Sequence, residues 1–215
     1  MISKRLAQIK ENLPAQVTLV AVSKFHPSED ILEAYGAGQR VFGESRPQEL
    51  AMKYEQLPHD IQWHFIGHLQ TNKVRLIIPF VAVIESVDSL RFAVEISQQA
   101  LSVGRVVDVL LEVHVAAEQT KQGFLPDELL SILPDLKALS GIKIAGLMAM
   151  ATFTDDRTLI EHEFKLVRAL FDRLRLSELP QIDTLSMGMS EDYLVALACG
   201  STMVRIGSSI FGNRI

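Results

Sequence analysis

VTLVAVSKFHPSEDILEAYGAG, residues 17–38, holds one complete strand-and-helix unit. The run VTLVAV at 17–22 reads as a strand buried on both faces, while Ser28, Glu29 and Asp30 open a helix that Gly36 and Gly38 close. Continuous apolar strands of this kind belong to parallel sheets, whose crossover helices cover both faces. The fold follows from how often the unit recurs.

It recurs along the whole chain. A strand at 40–42 precedes a helix through 48–55; IQWHFI at 61–66 precedes a helix through 72–78 that Pro79 stops; VAVIES at 81–86 leads into a helix from Asp88. VVDVLLEVHV at 106–115 is followed by a helix from near Pro126, and GIKIAGL at 141–147 by a helix on which Ile160, Phe164, Val167, Phe171 and Leu174 share one apolar face. A short strand near 182–185, a helix over 190–199 that Ser190 would cap, and STMVRIG at 201–207 complete eight strands. Eight buried strands with right-handed crossovers predict a (β/α)8 barrel, with an open doubly wound sheet as the alternative. No linker interrupts the alternation, so residues 1–215 are read as one domain.

The chain is 48% apolar and 22% charged, as a packed globular protein should be, and its formal net charge of −5 opposes broad nucleic-acid binding. The single cysteine, Cys199, allows no intrachain disulfide and no cysteine-based metal site, which favours a reducing cytoplasm. The charged N-terminal stretch lacks the apolar core of a signal peptide, and no run approaches the ~18 apolar residues of a membrane span. No membrane role is expected.

In such a barrel the chemistry gathers at the C-terminal ends of the strands. Lys24 closes VTLVAVSK, where desolvation would lower the pKa of an amine and suit it to form a Schiff base. Lys143 lies near the start of its strand, at the opposite end of the barrel, and Lys73 and Lys121 read as solvated. LSMGMSEDY at 185–193 combines a turn glycine, Gly188, with the hydroxyls of Ser186 and Ser190. VRIGSSIFG at 204–212 carries Arg205 on the last strand, followed by Gly207, Ser208 and Ser209. Loops after the seventh and eighth strands commonly hold phosphate in this fold.

AVSK, FGESRPQE, WHFIGHLQTNK, GLMAMA, LSMGMSEDY and VRIGSSIFG, in this order, resemble the successive signatures of the pyridoxal phosphate homeostasis protein family, itself similar to the barrel domain of alanine racemases. The resemblance runs from about Val17 to Arg214. It implies pyridoxal 5′-phosphate as cofactor, joined to Lys24 as a Schiff base. Ser186, Gly188, Ser190, Gly207 and Ser208 would surround its phosphate, and Arg205 would face its pyridine nitrogen. Family members often have Asn where this chain has Ser45, which leaves any cofactor contact there in question. Met148 and Met150 resemble residues near the cofactor and serve equally as core fillers. His64 and His68 are read as hydrogen-bonding residues near the same mouth, with no metal assigned.

The resemblance implies a non-catalytic carrier that maintains the cofactor and the balance of amino and keto acids, with dependent apoenzymes as its recipients. Racemisation would need a second acid/base group, which in alanine racemases comes from a partner's additional domain. With that domain missing, a monomer is expected. Two enzymatic alternatives stay open: a racemase-like enzyme with its second base from Tyr193, His64 or a loop, and a Schiff-base aldolase acting on a phosphorylated substrate.

Overall fold

The computed structural model describes residues 1–117 and 122–212. Lys121 lies outside the described residues. Eight strands, β1 (Thr18–Val22), β2 (Val41–Glu44), β3 (Gln62–Phe65), β4 (Val83–Val87), β5 (Val107–Val113), β6 (Ile142–Ala149), β7 (Thr184–Ser186) and β8 (Met203–Ile206), pair in parallel and in sequence order. β8 also pairs with β1, setting Val20 beside Arg205, so the sheet is closed. The open-sheet alternative is excluded.

Two apolar layers hold the barrel. Inside it, Val20, Leu110, Met148 and Met203 form a separate buried cluster. Outside, the other strand faces pack against helices α1 (Ile2–Glu11), α2 (Ser28–Gly36), α3 (Pro47–Gln56), α4 (Val74–Ile77), α5 (Leu90–Ser102), α6 (Pro126–Lys137), α7 (Arg157–Ser177), α8 (Tyr193–Ala198) and α9 (Ser208–Phe211).

On α7 the five residues of the apolar stripe are all buried, and each such side chain contributes roughly 1.5–3 kcal/mol of transfer free energy. Asp156 caps the helix by accepting the Thr158 and Leu159 amide protons. Phe171→Ala would open a hole beneath this helix and cost about 3–5 kcal/mol.

Three features differ from the expectations. α1 is a helix that buries Ile2, Leu6 and Ile9, a four-and-three spacing that could have revealed it, and it packs on α2 and α9. β2 runs on to Glu44, because Gly43 fits where a Cβ would come within 2.9 Å of a Val20 methyl. α8 starts at Tyr193 rather than at Ser190: residues 190–192 form a turn, and Asp192 closes it by accepting the Met189 amide proton at 2.6 Å. Ser190 is therefore no helix cap.

Candidate functional site

At the C-terminal end of β1 the chain turns sharply through Ser23, Lys24 and Phe25. Phe25 has φ of +67°, a left-handed conformation costly for an aromatic residue. The neighbouring groups hold it there. The Phe25 amide donates to Glu49 Oε1 at 2.8 Å, and the Arg46 guanidinium lies 4.4 Å from the centre of the Phe25 ring.

Beneath the turn, buried Lys53 donates to the Ser23 carbonyl at 2.9 Å, to Glu44 Oε1 at 2.8 Å and to Glu49 Oε1 at 2.7 Å. The Ser23 hydroxyl adds a 2.6 Å bond to Glu44 Oε1. Glu44 Oε2 is buried with no hydrogen-bond partner among the described residues. Burial accordingly pushes the Glu44 carboxyl above its ordinary range, although Lys53 and Ser23 pull the other way.

A second wall faces this one. Arg205, buried on β8, donates through Nη1 to the Ser186 carbonyl and hydroxyl at 2.9 and 2.6 Å, and through Nη2 to the Ala149 carbonyl at 3.0 Å. The Ser186 hydroxyl donates in turn to Glu85 Oε2 at 2.6 Å, while Glu85 Oε1 lies 2.7 Å from His64 Nδ1. Burial alone would raise Glu85, yet His64, Arg205 and Ser186 together hold its carboxyl below the ordinary value. Glu112, buried on β5, is pushed up to about 7 by desolvation, against the opposing charge of Arg205 and with the help of Asp88.

Between the walls lies a cavity of about 430 Å³, within the usual range of roughly 300–1,000 Å³ for small-molecule sites. It brings together Lys24, Ser190, Arg205, Gly207 and Ser208, with Val22, Ile66, Met148, Met150 and Met189 as apolar lining. Ser186 and Gly188 lie behind it. Ser186 is fully buried in the network under Arg205, and Gly188, with φ of +94°, sits where a Cβ would come within 2.7 Å of the Ala196 Cβ. His64 is buried against Glu85, whereas His68 is mostly exposed, 3.6 Å from Asp88 in a neighbouring depression. Lys143 is exposed near the start of β6, beside Asp108.

The donor set fits a flat, anionic aldehyde. The lining holds an amine suited to the carbonyl carbon, thioether and branched side chains for the faces of a ring, a permanently charged guanidinium for a ring acceptor, and the Ser190 and Ser208 hydroxyls for an anion. Among the described residues no group of three His, Cys, Asp or Glu is placed to hold a metal ion. Sequence reasoning missed Glu44, Lys53, Glu85 and Glu112. The available signal was a charged letter inside an apolar strand, as in IES and LLEV, where an unpartnered charge would be too costly to bury.

The alanine racemase N-terminal domain model matches residues 1–214. The pyridoxal phosphate homeostasis protein of Pasteurella multocida (strain Pm70) is 39% identical over 228 residues, spanning 99% of this chain and 97% of that protein. PipY of Synechococcus elongatus PCC7942, solved with PLP bound, superposes with a TM-score of 0.91 at 37% identity, covering 99% of this chain and 100% of that one. An alanine racemase of Clostridium difficile 630 gives a TM-score of 0.82 at 18% identity over 55% of its own length, a likeness of fold alone.

Proposed function

The chain belongs to the alanine racemase N-terminal domain family and, within it, groups with the pyridoxal phosphate homeostasis proteins; from this premise we propose that it binds pyridoxal 5′-phosphate between Lys24 and Arg205 and serves to hold and release that cofactor rather than to turn over a substrate. The observation that carries the reading is the single cavity wall-to-wall pairing of an amine at the end of β1 with a guanidinium on β8.

When bound, the cofactor supplies an aldehyde reactive towards amines and a conjugated ring that can stabilise negative charge on carbon. Lys24 would hold it covalently. Val22, Ile66, Met148 and Met150 would flank the ring and keep water from its faces, while Ser190, Gly207 and Ser208 would hold the phosphate, with Ser186 and Gly188 shaping that loop from behind. Arg205 would donate a hydrogen bond to the ring nitrogen. Because a guanidinium keeps its proton at any working pH, it cannot accept one there, and an acidic partner would make the ring a stronger electron sink.

Support for a carrier over an enzyme comes from the positions of the other acid/base groups. Tyr193 and His64, the candidates for a second base, do not line the cavity. The loop residues His26 and Glu191 do, His26 lying 3.2 Å from Asp30 and stacked on Phe211, so these two are the residues to replace if turnover is found. The single thiol, Cys199, is free and buried at the C-terminal end of α8, as suits a reducing cytoplasm, where the carrier would act as a monomer that delivers to apoenzymes. No helix among the described residues is long and apolar enough to cross a membrane.

The test is spectroscopic and chemical. Purified protein should absorb in the visible, and borohydride reduction followed by peptide mapping should place the cofactor on Lys24; an adduct on Lys143, or protein that stays colourless with added cofactor, would overturn the reading. Amino-acid racemisation well above that of free cofactor, lost in Lys24→Ala, would instead favour the enzyme.

A further inference from the structure

Three residues grip the chain on both sides of Lys24: Arg46, the N-cap of α3, and Glu49 and Lys53, one turn apart within that helix. Each reaches a different group of the turn: Arg46 the ring of Phe25, Glu49 the amide of Phe25, and Lys53 the carbonyl of Ser23. Lys24 itself lies between the two gripped residues.

The grip has a job beyond packing. Phe25 holds a positive φ that an L-residue adopts only when its surroundings impose it, and strain of this kind gathers where a side chain must be aimed. Because β1 and α2 fix the chain on either side, Phe25 could relax to an ordinary negative φ only with compensating changes in its neighbours' dihedrals, those of Lys24 among them, which lines the cavity. Lys53 is well suited to prevent this, since it is 2% exposed and ties the turn to β2 through Glu44 as well as to its own helix through Glu49.

We propose that Arg46, Glu49 and Lys53 form a clamp that aims Lys24 into the cavity, making them positioning residues for the capture of an aldehyde by its amine. The inference rests on the reading of Lys24 given above. Capture joins the lysine nitrogen to the aldehyde carbon as the carbonyl oxygen leaves with the two amine hydrogens as water, so no oxidant or reductant takes part. None of the three clamp residues lines the cavity, and their effect is exerted through the backbone of residues 23–25.

Two probes separate aim from general binding: pyridoxal 5′-phosphate, and pyridoxine 5′-phosphate, which has an alcohol in place of the aldehyde. Affinities of both are measured by equilibrium dialysis for the parent, Glu49→Ala, Lys53→Met and Glu49→Gln. The clamp predicts that Glu49→Ala and Lys53→Met weaken the aldehyde about tenfold or more while changing the alcohol less than about twofold. Glu49→Gln, which keeps an oxygen for the Phe25 amide, should recover most of the preference.

A parent that prefers the aldehyde, with variants that prefer it equally or lose both ligands in parallel, would overturn the clamp and leave the reading of Lys24 standing. A parent that binds both probes equally would overturn that reading and the clamp with it. Should Lys53→Met fail to fold, Glu49→Ala and Arg46→Ala, at partly exposed and exposed positions, carry the same comparison.

Discussion

Glu44 and Glu85 are two carboxylates at the same barrel mouth, both fully buried and both close to a cation, and they titrate in opposite directions. On the lysine wall, both bonds to Glu44 fall on one oxygen, the other has no hydrogen-bond partner among the described residues, and its cation is shared with Glu49. On the arginine wall, Glu85 has a partner on each oxygen and a guanidinium 3.8 Å away. A nearby opposite charge does not by itself make a buried carboxylate comfortable. At Glu85 both His64 and Arg205 act with Ser186 against burial, whereas at Glu44 the pull of Lys53 and Ser23 is opposed by the second acid, Glu49, and burial prevails.

The sharpest way to break this contrast is to neutralise each acid in turn. Glu85→Gln should cost about 3–5 kcal/mol in urea unfolding, since it strands a buried arginine, whereas Glu44→Gln should cost no more than about 1 kcal/mol because Lys53 keeps Glu49 and the Ser23 carbonyl. Equal losses would mean that the two walls are built alike.

Titration gives the next largest effect, with signs that differ between the acids. Glu85, depressed in the fold, contributes stability that is present above the unfolded carboxylate value and is lost as pH falls through its folded one. Glu112, raised to about 7, does the reverse: its contribution is complete in acid and is lost as pH rises from the unfolded value towards 7. Glu112→Gln should therefore remove a decline on the order of 3 kcal/mol between pH 5 and 8, read from urea midpoints of parent and variant at each pH. Identical declines in the two proteins would show that Glu112 is ionised at neutral pH in the fold.

Ligand retention divides the walls differently. Lys24→Ala should weaken cofactor binding by roughly a hundredfold and abolish borohydride trapping, because only the lysine wall offers a covalent hold. The smallest effect is expected from Ser190→Ala, about 1 kcal/mol or some fivefold in affinity by dialysis, since one hydroxyl is lost while the Ser208 hydroxyl remains on the cavity. A larger loss from Ser190 than from Lys24 would reverse the division of labour.

Alternation of apolar runs and helical stretches made the barrel legible, and with it the end of the molecule where Lys24 and Arg205 had to lie. The buried acids were harder to see. In VAVIES and VVDVLLEV a glutamate follows aliphatic residues, and one sequence does not say which alternate positions face the inside of the barrel; Glu85 gains its partners, His64 and Ser186, from other strands. Ser186 reads as a phosphate hydroxyl when only its neighbours in the chain are visible. In space it bridges Glu85, on β4, to Arg205, on β8. Ser190 looked like a helix cap for a similar reason, since the letter S before two acids fits that pattern, but Asp192 makes the bond that closes the turn.

The pairing of β1 with β8 also bears on synthesis. A ribosome makes Lys24 early and Arg205 late, and until the eighth strand has emerged and closed on the first, the cavity lacks its second wall. On the proposed reading, a half-made chain would present its lysine amine without the arginine or the serine loop beside it, and the site would be completed only when the eighth strand meets the first.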